Sequence, residues 1–166
     1  MTRAALVALL VAACGAPTAP TGSGTVRLVA TGSSDTVRFE VPVVAQRCVE
    51  GRGLLVHGAR HGQGVLVLLR AAGGATLDTG AYRLLTRGDT TAARGAIAAV
   101  RFLVGEVAHG LTLDDGTATV RRATAPFTVR VRGIGLEMSL GQRRTAEFAL
   151  ERVPLAPDSV LCPPQP

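Results

Sequence analysis

His57 and His61 sit four residues apart in His57-Gly58-Ala59-Arg60-His61. On a helix that spacing turns both imidazoles to one side, as a metal site needs. The glycines at 58 and 62 favour a turn between two strands, where that geometry is lost. Two histidines also fall short of the three or four ligands that zinc takes. His109 or Glu106 would complete such a site only where the fold brings them near. No metal ligand, cofactor or catalytic residue is therefore assigned. A metal-binding or hydrolytic enzyme using the His57/His61 loop stands as the alternative class.

Asp114 and Asp115 form the other conspicuous pair. Adjacent strand residues point to opposite faces, which is poor geometry for shared acid–base work. With Gly116 they predict a hairpin turn between Leu113 and Thr117, because Asp-Gly tolerates positive φ. Nucleophilic chemistry has no Gly-x-Ser-x-Gly elbow and no Ser-x-x-Lys to use. The glycine-rich stretches lack a phosphate-loop lysine. Arg87-Gly88-Asp89 spells an adhesion tripeptide, but the tripeptide alone is a weak signal and a turn explains it far more often.

The elements that would position these residues follow a period of two. Val37, Phe39 and Val41 alternate with Arg38 and Glu40, and Phe127, Val129 and Val131 alternate with Thr128, Arg130 and Arg132. Strands are expected over residues 25–30, 36–44, 53–58, 64–71, 80–85, 96–104, 107–113, 117–122, 126–137 and 144–153. Residues 90–104 are alanine-rich and are the one stretch with room for a helix, although Val100-Arg101-Phe102-Leu103-Val104 favours a strand. Phe39, Tyr82, Phe102, Phe127 and Phe148 fall on five different strands, the distribution that fills a core. Arg130, Arg132, Glu147 and Glu151 lie on polar faces and suit cross-strand ion pairs. Short strands punctuated by glycine predict an all-β domain over residues 25–166, a single antiparallel β-sandwich or partly closed barrel.

The N-terminus gives an address. Arg3 precedes an apolar stretch at residues 4–13, too short for the roughly 20 residues of a membrane span and suited to a secretion signal. The stretch ends in Val11-Ala12-Ala13-Cys14, which resembles the lipobox of bacterial lipoproteins. The resemblance implies cleavage before Cys14, acyl chains on Cys14, and residues 1–13 as a lipoprotein signal peptide. Two or more chains anchor a protein firmly, whereas one holds it only marginally. An ordinary cleaved signal, with Cys14 an incidental thiol, is the competing reading. Residues 14–24 are then a Pro/Gly/Ser/Thr tether, reaching at most about 35 Å when extended. By the same resemblance, Gly15 rather than Asp after Cys14 implies delivery to an outer membrane where a cell has two. With Cys14 set aside, Cys48 and Cys162 remain, and an even remainder in an exported chain predicts a disulfide. Unrelated thiols or metal ligands are the other readings of that pair. Gly80-Ala81-Tyr82 and the Asp-Gly-Thr-x-Thr-Val segment at 115–120 loosely resemble small bacterial surface lipoproteins of β-sandwich type, which bears on fold more than on function.

The net charge is +6, carried entirely by arginine, with no lysine or asparagine and two isoleucines. That pattern follows from GC-rich coding, so the arginines are weak evidence for nucleic-acid binding. They are scattered, and the five aromatics are too few for a base-stacking groove. The expectation is an envelope lipoprotein at the outer membrane or the outer face of the cell membrane. It presents a non-enzymatic binding or structural domain, with the membrane, an envelope protein, a cell-wall component or a small ligand as partner.

Overall fold

The computed structural model describes residues 21–30, 36–49, 53–71, 76–86, 89 and 94–162. Cys14, the expected signal peptide and most of the expected tether lie outside them, as do Arg87 and Gly88. Ten strands are present among the described residues: β1 (Gly22–Ala30), β2 (Thr36–Cys48), β3 (Gly53–Arg60), β4 (Gln63–Arg70), β5 (Gly80–Arg83), β6 (Gly95–Val104), β7 (Val107–Arg122), β8 (Phe127–Glu137), β9 (Gln142–Val153) and β10 (Leu155–Val160). The alanine-rich stretch before Val104 is strand, not helix, from Gly95 onward.

Eight of these strands, β1 to β4 and β6 to β9, pair antiparallel in succession with β5 skipped, and β1 closes the ring by pairing with both β2 and β9. Of the two closures the patterning allows, the chain takes the up-and-down barrel. An eight-stranded barrel is just wide enough for side chains to fill its interior, and alternation supplies them. Val26, Val41, Val67, Phe102, Val131 and Phe148 belong to one buried core cluster. Phe39, Tyr82 and Phe127 join the same cluster, as the distribution of aromatics predicted.

The Asp-Gly hairpin does not form. Residues 107–122 are one continuous strand, and the pairing with β8 shifts register between Leu113 and Asp115. The extra residue is accommodated as a β-bulge, with Gly116 at a φ of 126°. A Cβ at Gly116 would come within 2.3 Å of the Arg132 carbonyl oxygen. The bulge lets β7 pair with β6 over its first half and with β5 over its second.

Two strands lie outside the ring. β5 is held by Tyr82, whose hydroxyl donates to Asp78 Oδ1 at 2.8 Å while Arg94 sits 4.2 Å over the ring. β10 runs parallel to β2, with the Ala45 and Val49 amides donating to the carbonyls of Pro154 and Val160. The strap it forms ends in the Cys48–Cys162 disulfide, which spans 114 residues. A cross-link of that span stabilises by about 4–5 kcal/mol in the chain-entropy description. Beneath it Leu55 and Leu68 form a second apolar cluster, with Leu66, Ile97 and Val160 packed alongside. The four on β3, β4 and β6 project from the outer wall, because the other parity of those strands fills the interior.

Candidate functional site

The register places the turns after β3, β6 and β8 at one end of the barrel. Gly22 and the disulfide lie at the other. His61 and Gly62 form the two-residue β3–β4 turn, both with positive φ, so the loop expected between strands is there. His57 sits back on β3, its Nε2 2.8 Å from Gln46 Oε1. His109 faces the interior from β7, and Glu106 stands exposed in the β6–β7 turn. The structure does not bring these four together, and no metal-holding cluster of His, Cys, Asp or Glu occurs among the described residues.

Asp114 and Asp115 diverge at the bulge. Asp114 takes a two-pronged contact from Arg143, at 2.7 and 3.1 Å, which raises the Arg143 pKa above its ordinary value. Arg130 reaches Glu151 at 3.8 Å, a surface pair with both partners about half exposed. Asp89, the described member of the tripeptide, pairs with Arg83 at 2.9 Å.

The turn end also holds a cluster that no motif announced. Glu137 is completely buried, with His109 Nδ1 2.6 Å from Oε1 and Arg144 Nε 2.5 Å from Oε2. Phe102 stacks on the His109 ring at 5.5 Å, and the Arg144 guanidinium lies 5.3 Å over the same phenyl group. Burial pushes the Glu137 carboxyl up, but the hydrogen bonds from Arg144 and His109 outweigh it and leave its pKa lowered. Ser139 Oγ lies 3.1 Å from His109 Nδ1 and donates to Glu137 Oε1 at 3.3 Å. A catalytic triad needs serine on one ring nitrogen and the carboxylate on the other. Here both share Nδ1, so His109 cannot take the Ser139 proton in that manner. The cluster closes the barrel end and fixes the turn after β8.

That turn walls a groove of about 710 Å³ on the outside of the barrel. Its floor is small: Gly58 and Ala59 on β3, Gly64 on β4, Ala99 on β6 and Gly110 on β7. Packing demands two of these glycines. A Cβ at Gly58 would meet the Pro42 carbonyl at 1.9 Å, and one at Gly64 the Gly58 carbonyl at 2.9 Å. Gly110 differs, since a Cβ there would meet nothing within 4 Å. Leu66 lines one side, and Met138, 82% exposed, stands at the end. The groove's volume falls in the range of about 300–1,000 Å³ usual for small-molecule sites.

No family model matches the chain, and no curated protein or solved structure is detectably similar to it.

Proposed function

We propose that this chain is a lipid-anchored envelope protein. Cys14 holds it at the outer membrane or the outer face of the cell membrane, and the barrel serves as a non-enzymatic binding module. The observation that carries the binding reading is the groove on the outer wall. The interior is occupied by core side chains, so a ligand meets the barrel from outside. There, backbone and small side chains make an apolar floor across four adjacent strands. Apolar lining with few polar groups is the usual composition of a small-molecule site.

The test uses an uncharged naphthylamine fluorophore, which brightens in apolar surroundings, and the Cys14→Ser protein, which has no thiol to carry the lipid. Fluorescence should rise on binding. Gly110→Trp, whose Cβ enters open space over the groove floor, should weaken binding at least about tenfold and leave the melting temperature unchanged. Equal binding by both proteins would contradict the reading. Stabilisation by zinc or copper that disappears in His57→Ala would instead favour the metal-dependent alternative.

A further inference from the structure

We propose that the groove takes a single-chain amphiphile with an anionic head, a fatty-acid-like molecule, and that Arg101 selects the head. The proposal rests on the groove being the binding surface and names its ligand class. Arg101 lines the groove from β6, and the register sets it between two glycines, Gly64 on β4 and Gly110 on β7. Neither neighbouring strand puts a side chain beside the guanidinium in that row.

Gly110 has no structural cause of its own. Its φ lies outside the left-handed region, and the space over its Cα is open. Glycine inside a strand weakens it and marks a bulge, a tight barrel bend, or close approach by a ligand or another backbone; the unbroken β6–β7 register at Gly110 excludes the bulge. Charge points the same way. Arg101 makes no ion pair among the described residues, and no carboxylate lines the groove. A purely apolar occupant would cover this guanidinium without a counter-charge, which is unfavourable. An oxyanion head would pair with it in the two-pronged geometry arginine prefers. Beyond the head, Ala99 and Leu66 lie side by side in the next row, leading toward Ile97. That path suits an aliphatic chain.

The experiment displaces the naphthylamine probe with twelve-carbon ligands below their micellar concentrations: dodecanoate, dodecanol and dodecyltrimethylammonium. Dodecanoate should displace it at a concentration at least about tenfold lower than dodecanol, with the cation weakest. Arg101→Gln should keep the melting temperature but erase the preference for dodecanoate over dodecanol, and Arg101→Lys should restore part of it. Dodecanoate and dodecanol displacing the probe equally, with binding still lost in Gly110→Trp, would overturn the head assignment while leaving the groove as the site. A probe that does not bind, or binds Gly110→Trp equally well, would overturn the groove reading and this proposal with it.

Discussion

Glu137 is the residue on which the turn end of the barrel depends. A buried carboxylate is tolerable only when paired and hydrogen-bonded, and Arg144 and His109 supply both. Glu137→Ala would leave a buried guanidinium without its counter-charge. The expected loss is about 3–5 kcal/mol, measured by urea unfolding at neutral pH. The pH dependence has a definite sign. Because the folded pKa is lowered, the ionised carboxyl stabilises fully above its unfolded value, near about 4.3. That stabilisation is lost as pH falls through the lower folded value. The stability gap between wild type and Glu137→Gln should therefore shrink on acidification. A gap that stays constant would mean that the carboxyl is not held ionised by its partners. The sequence carried a signal for these residues. Glu137 has the parity of Val129 and Val131, Arg144 that of Phe148, and His109 that of Leu111, so each is a polar group on a core-facing position. Their convergence depends on how β7, β8 and β9 stagger, and the period-two pattern does not encode stagger.

Among the elements, alternation located nearly every strand, and two of the errors come from reading glycine as a breaker. Asp-Gly is a turn signal because it admits positive φ, yet a bulge uses the same property without reversing the chain. The close approach of the Arg132 carbonyl decides between them at Gly116. Gly116→Ala should destabilise by at least about 1–3 kcal/mol, read as a drop in melting temperature with the barrel spectrum kept. An unchanged melting temperature would place the bulge elsewhere. β1 begins at Gly22, inside the stretch expected to be tether. There the glycines serve crowding rather than slackness, since a Cβ at Gly24 would lie 2.9 Å from a Val43 methyl group. β10 escaped notice because Pro157 argues against a strand. It is an edge strand that makes only a short parallel pairing and is fastened by the disulfide. The groove floor was hidden for a different reason. Gly58, Gly64 and Gly110 look like turn glycines until the register aligns their strands.

For the whole molecule, fold and address rest on separate observations. Ring closure by β1 and β9 makes the barrel, and the disulfide straps its far end. The proposed address rests on Val11-Ala12-Ala13-Cys14 alone. Cys14→Ser should end incorporation of an alkyne-tagged fatty acid and move the protein out of the membrane fraction; persistent labelling would refute the lipid anchor. The claim that the outer groove is what the barrel presents has a more direct test. Dodecanoate titrated into the isotope-labelled Cys14→Ser protein can be followed by the amide resonances of Gly58, Gly64 and Gly110. The account predicts saturable shifts concentrated at these glycines and at Ala99 and Arg101, with the β1–β9 wall unmoved. Shifts centred on the β1–β9 wall, or none at saturating ligand, would contradict it.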